Sequence, residues 1–184
     1  MRKEIVMLFC CAMLMAAPSC GRRSTNAGAV TEQPVKKAKP QYTVKTLPIS
    51  VTSNILENIE KQYKGSVTLI DCWATWCGPC RMAMAAIDSI KPALQKKGVK
   101  FVYITGETSP LATWKQMLPS IAGDHYRLTA EQWRALGEEQ KMRGIPCYKL
   151  LNADGTEAFS NLTEGGYPGN EFMKGEIDKA LQKK

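Results

Sequence analysis

Hydrophobic positions fall into three regimes along the chain. An apolar run from Ile5 to Ala17 follows Arg2 and Lys3. Residues 21–41 are mostly Gly, Arg, Ser, Thr, Asn, Pro and Lys, the composition of a linker. From Tyr42 onward, apolar residues recur with the periods of strands and helices.

That third regime predicts alternating elements. Residues 42–51 alternate as an opening strand. Ser53 offers an N-cap, and Ile55, Leu56, Ile59 and Tyr63 recur at helical spacing up to Lys64, where Gly65 ends the helix. The run Val67-Thr68-Leu69-Ile70-Asp71-Cys72-Trp73 is almost continuously apolar, as in a strand buried on both faces. A helix is expected over 79–97, with Met82, Ala86, Ile87, Ile90 and Leu94 on one side and a kink at Pro92. Residues 99–105 read as the next buried strand. Helices over 111–121 and 129–139 flank a short strand near Tyr126. Strands over 147–151 and 157–159 enclose Asn152-Ala153-Asp154-Gly155, a hairpin signal, and a helix over 172–181 follows. This order predicts an α/β fold, a central mixed sheet with helices on both faces.

Composition narrows the class. With 44% hydrophobic and 23% charged residues in 184, the chain is neither disordered nor collagen-like. The formal net charge is +8, but six basic residues against Glu32 lie within 20–46. The basicity therefore belongs to leader and tether rather than to a basic stripe on the domain, and no nucleic-acid partner is expected. The apolar run at 5–17 is shorter than the roughly 20 residues a membrane-spanning helix needs. Residues 1–19 are expected to be a signal peptide. Ala16-Ala17-Pro18-Ser19-Cys20 resembles a bacterial lipobox, with Ala17 where leucine is usual and Pro18 an unusual neighbour. The expectation is a lipid-bearing Cys20 at the mature N-terminus, a tether over 20–45, and a folded domain over 46–184. The protein would then face the periplasm, anchored to a membrane through lipid, where disulfide chemistry is allowed.

Trp76-Cys77-Gly78-Pro79-Cys80 stands between a buried strand and its helix. Cysteines three apart at a helix start lie about one turn from each other, within disulfide reach. At a helix N-terminus, unpaired N–H groups and the macrodipole favour thiolate over thiol at Cys77. Cys80 lies one turn deeper. An exposed attacking thiolate and a buried resolving thiol are what thiol–disulfide exchange requires. A structural zinc site needs four ligands, and no second C-x-x-C or His pair exists, so no metal is expected.

The stretch Ile70-Asp71-Cys72-Trp73-Ala74-Thr75-Trp76-Cys77-Gly78-Pro79-Cys80-Arg81 resembles the active-site segment of thioredoxins. It resembles more closely still the membrane-associated TlpA/ResA-like thiol–disulfide oxidoreductases of bacteria. Gly144-Ile145-Pro146 is similar to the family's cis-proline loop, and residues 102–133 to its helical insertion. The resemblance covers about residues 50–182 and implies a thioredoxin-like fold.

By position, the resemblance makes Cys77 the attacking and Cys80 the resolving cysteine. It makes Asp71 the buried carboxylate that takes a proton from Cys80. Trp76, Ile145 and Pro146 become client-binding residues, with Ile145 offering its backbone to a substrate strand. It implies no organic cofactor, client proteins bearing disulfides, and a membrane redox partner that exchanges electrons. Reduction is the expected direction. The alternatives are a disulfide oxidase or isomerase of the same fold, and a cysteine-based copper chaperone. Two cysteines depart from the family pattern. Alternation puts Cys72 on the sheet face opposite Asp71. The family's geometry puts Cys147 close to Cys77, as a possible modulator. His125, the one histidine, is expected to be structural or on the surface. Met82 and Met84 are expected to pack the helix, and Arg81 to be solvated.

Overall fold

A computed structural model of the protein describes residues 41–183. The expected signal peptide and the Cys20 lipid site lie outside the described residues.

Six strands form one mixed sheet in the order β1-β4-β3-β2-β5-β6. These are β1 (Tyr42–Lys45), β2 (Thr68–Cys72), β3 (Lys100–Gly106), β4 (Gly123–Leu128), β5 (Cys147–Leu151) and β6 (Glu157–Ser160). The first four run parallel, and β5 and β6 are antiparallel to their neighbours. The helices are α1 (Ile55–Glu60), α2 (Gly78–Asp88), α3 (Lys91–Lys96), α4 (Leu111–Met117), α5 (Ala130–Glu139) and α6 (Asn170–Gln182). The mixed sheet with helices on both faces expected from the residues is the one observed.

Alternation along the central strands divides the interior into two layers. Leu69 and Trp73 of the β2 segment join Phe101, Tyr103, Tyr148 and Leu150 beneath α2, α3, α4 and α6. Ile70 and Cys72 join Val102, Ile104, Tyr126, Leu128, Cys147 and Leu151 beneath α1 and α5. β2 is buried at every position, as its apolar run requires.

Several boundaries differ from the periodic reading. The opening strand stops at Lys45, because Pro48 begins a turn closed by Val51 N–H donating to its carbonyl. Residues 42–45, assigned to the tether, are sheet residues paired with β4. Ser53 does not cap α1. Instead the Glu139 carboxylate accepts from the N–H groups of Asn54 and Ile55, at 2.7 and 3.0 Å. The helix expected over 79–97 is two helices broken at Ser89–Ile90, with Pro92 in the first turn of α3, where a proline fits without a donor. The buried face of α2 carries Cys80, Ala83, Met84 and Ile87, while Met82 is exposed. The segment 102–133 is not only helical: it includes most of β3 and all of β4, which intervenes between β1 and β3.

α5 starts one residue inside the expected range, with Thr129 as its N-cap. Thr129 Oγ1 accepts from Gln132 N–H, and Gln132 Oε1 accepts from Thr129 N–H. Gln132 Nε2 then donates to the carbonyls of Pro48 and Val51, tying the β1–α1 connection to α5.

Candidate active site

β2 ends at Cys72, and the buried segment Trp73-Ala74-Thr75 carries the chain to Cys77. Cys77 N–H donates to Ala74 carbonyl at 3.0 Å, closing the turn that turns Trp76 outward. Trp76 is 62% exposed, unusual for a tryptophan in a domain with room to bury it. Thr75 N–H is held by Ser109 Oγ from the β3–α4 loop.

Cys77 is the N-cap residue of α2, and Pro79 occupies its first turn. Cys77 and Cys80 form a disulfide with Cα atoms 5.3 Å apart. Cys80 N–H donates to Cys77 Sγ at 3.1 Å, so an amide of the helix's first turn already points at this sulfur. When the disulfide opens, the same amide and the helix end stabilise charge on Cys77. Cys77 keeps 4% of its surface exposed and Cys80 none. Cys77 is thereby the more accessible of the two residues.

β5 brings the second half of the site. It lies antiparallel beside β2, so the start of β5 meets the end of β2. The Ile145–Pro146 peptide bond is cis. Ile145 carbonyl oxygen lies 3.7 Å from Cys77 Sγ. Trp76, Thr108, Trp133, Met142, Arg143 and Ile145 line a largely apolar groove of about 260 Å³ beside the disulfide. The expected grouping of Cys77, Cys80, Trp76, Ile145 and Pro146 is the one the fold brings together.

Asp71 is 2% exposed and lies on the sheet face shared with Cys77 and Cys80. Neither carboxylate oxygen has a hydrogen-bond partner among the described residues. Burial pushes its pKa up to about 8, against a smaller lowering by the Lys91 charge. Strand register sets a row of polar side chains around it: Tyr148 on β5, Asp71 on β2, Tyr103 on β3 and His125 on β4. The hydroxyls of Tyr103 and Tyr148 are also buried without a partner, and burial raises both phenols, with the Asp71 charge adding to it.

Lys91 completes the surroundings. Its side chain is 3% exposed, 2.7 Å from an Asp88 carboxylate oxygen and 5.1 Å from the Tyr103 ring centroid. His125 is structural: its ring stacks on Tyr103 at 5.0 Å, its Nε2 lies 2.9 Å from Ile121 carbonyl, and burial lowers its pKa to about 4. Tyr103, Tyr148 and Lys91 escaped the sequence reading. The two tyrosines carry a signal only once register is known, and Lys91 reads as one more solvated lysine.

Cys147 is not beside Cys77. It is fully buried in the layer beneath α1 and α5, directly opposite Cys72. The cause is the same alternation that places Tyr148 toward Asp71: its neighbour must point the other way.

The family model described as Redoxin matches residues 36–168, more than half of the chain. Among curated proteins, the thiol-disulfide oxidoreductase ResA of Bacillus thuringiensis subsp. konkukian is 29% identical over 52 residues, 28% of this chain and 30% of ResA. Thioredoxin 1 of Nostoc sp. is 40% identical over 53 residues, 29% of this chain and 49% of that protein. The match thus spans less than two thirds of these relatives' lengths. Among solved structures, the thioredoxin domain of a thiol-disulfide oxidoreductase from Bacteroides vulgatus superposes with a TM-score of 0.56 at 17% identity, covering 66% of this chain and 83% of that one. A thiol:disulfide interchange protein of Chlorobium tepidum gives 0.53 at 21%, covering 66% and 84%. At these identities the superpositions speak for the fold, and the family match speaks for descent: the chain belongs to the Redoxin family and carries a thioredoxin-like fold.

Proposed function

We propose that this chain is a thiol–disulfide oxidoreductase that reduces disulfides in client proteins. The observation that carries the reading is the pairing of an N-capping, partly accessible Cys77 with a fully buried Cys80, on the sheet face that also holds an unpartnered Asp71.

In the reduced enzyme, the Cys77 thiolate attacks one sulfur of a client disulfide. A mixed disulfide forms, and the displaced client thiolate takes a proton. Asp71 accepts the Cys80 proton, directly or through water, and the Cys80 thiolate attacks Cys77 Sγ. The client leaves with its second thiol, and Cys77–Cys80 becomes the disulfide described above. Two electrons have passed to the client. An extended client segment lying across the Ile145 carbonyl and the Trp76 groove brings its disulfide to Cys77.

Another dithiol must return those electrons. A membrane redox partner is the proposed source, with the enzyme held near it through lipid on Cys20. The apolar leader and the lipobox-like run ending at Cys20 support this placement.

The test is trapping. Reduced protein is mixed with a disulfide-bonded peptide. Cys80→Ser is expected to accumulate the mixed disulfide, and Cys77→Ser to form none. Equilibration with glutathione then gives direction: a midpoint below that of the client disulfide supports reduction, and one well above it refutes it. Absence of any adduct on Cys80→Ser refutes the exchange itself.

A further inference from the structure

All four cysteines of the described residues are paired in space. Cys77 and Cys80 form one couple. Cys72 and Cys147 are free thiols, each 0% exposed, facing one another across β2 and β5. Directly opposed residues of an antiparallel pair have Cα atoms about 4.5 to 5.5 Å apart. That spacing lies inside the roughly 4.4 to 6.8 Å that disulfides span. Both side chains belong to one packed layer, with Ile70, Ile104 and Leu151 around them, so they point the same way.

We propose that Cys72 and Cys147 form a second disulfide, a cross-strand staple separate from the Cys77–Cys80 couple. One cysteine among buried apolar neighbours is an ordinary small hydrophobe. Two, in register on adjacent antiparallel strands and on one face, are a bridge site. The hydrogen-bonding contact with Cys147, followed by burial, pushes the Cys72 thiol up. The folded interior therefore holds little thiolate, and the bridge forms while β2 and β5 are still accessible.

The step is an exchange with an external disulfide, either a small-molecule disulfide or a protein disulfide donor. One thiolate attacks the donor disulfide, giving a mixed disulfide and one donor thiol. The second thiolate displaces the other donor thiol and closes Cys72–Cys147. The two electrons and both thiol protons end on the donor. In the folded chain the Cys77–Cys80 disulfide lies in the opposite layer, out of reach of this pair. The staple would join β2 just before the turn to Cys77 and β5 just after Pro146, tying the two halves of the active site together.

The test refolds reduced full-length chain in buffers of rising oxidised-to-reduced glutathione ratio. Samples are quenched in acid, alkylated, digested without reduction and mapped by mass spectrometry. The expected product is a peptide pair joined through Cys72 and Cys147, lighter by two hydrogens than the thiol forms. It rises from absent to predominant with the ratio and vanishes in Cys72→Ser and in Cys147→Ser. The Cys77→Ser, Cys80→Ser chain is expected to give the same pair, which excludes shuffling through the reactive couple. Recovery of both cysteines singly alkylated at every ratio, while Cys77–Cys80 oxidises in the same wild-type digest, overturns the proposal. So does linkage of either cysteine to Cys77 or Cys80.

Discussion

The backbone N–H of Thr75 donates to the hydroxyl of Ser109 over 3.0 Å, across 34 residues of sequence. The same hydroxyl lies 2.7 Å from Thr105 Oγ1, and the Ser109 carbonyl accepts from Arg127 Nε at 3.0 Å. The turn that delivers Trp76 and Cys77 therefore hangs on the β3–α4 loop. Ser109→Ala leaves a buried N–H without a partner, which costs about 1 to 3 kcal/mol. The urea midpoint should fall with an unchanged slope. An unchanged midpoint would show that the turn holds its place without this bond.

Asp71 and His125 act on stability in opposite directions with pH. Asp71 is raised to about 8 in the folded chain, so the folded state keeps its proton while the unfolded state releases it. Its contribution is full below the unfolded value of roughly 3.9 and is lost as pH climbs toward 8. His125 is lowered to about 4, so its contribution is present above roughly 6.5 and is lost as pH falls toward 4. For this pair the two slopes offset between about 4 and 6.5, and a fall of about 2 kcal/mol remains between 6.5 and 8. Asp71→Asn should remove that fall and leave stability rising from pH 4 to 6.5. Denaturant titrations across this range, comparing variant with wild type, decide it.

Burial raises Asp71, and the Lys91 charge moderates that rise. Lys91→Met keeps an apolar stem over the Tyr103 and Phe101 rings and removes the ammonium. Resolution of the mixed disulfide should accelerate with pH through an inflection near 8 in wild type and at higher pH in Lys91→Met. Asp71→Asn should abolish the inflection and slow the step by on the order of 10²-fold. Stopped-flow resolution rates across pH read all three. A wild-type inflection that stays put in Lys91→Met would sink the coupling.

Trp76 stands outside both packed layers, so the core does not depend on it. Trp76→Ala should change unfolding free energy by no more than about 0.5 kcal/mol. It should lower exchange with a peptide client several-fold and leave exchange with a small dithiol unchanged. Equal losses with both partners would assign Trp76 to shaping the Cys77 turn instead.

Much of the site was legible because it is local. Val67 to Arg81 carries the buried strand, the turn, the N-capping cysteine and the helix in one uninterrupted segment, and each signal agrees with the next. What was not legible depends on pairings between distant strands. Nothing near Tyr103 or Tyr148 says that both stand opposite Asp71, because register between β2, β3 and β5 is settled by the whole sheet. Cys147 shows the same limit. Its place after Pro146 suggests the active site, but its place in the pleat sends it to the other layer. Lys91 lies four residues after Ile87 and seven after Met84, on the buried face of that run, but its charge reads as solvent-facing.

The cysteine pair and the lip beside it are separated by 68 residues. β5 can take its position against β2 only after β3, β4 and α5 have been synthesised. A chain ending before Ile145 would carry Cys77 and Cys80 without the carbonyl that lies 3.7 Å from Cys77 Sγ. The carbonyl that lies against Cys77 Sγ is therefore set in place only when the last hairpin closes against β2.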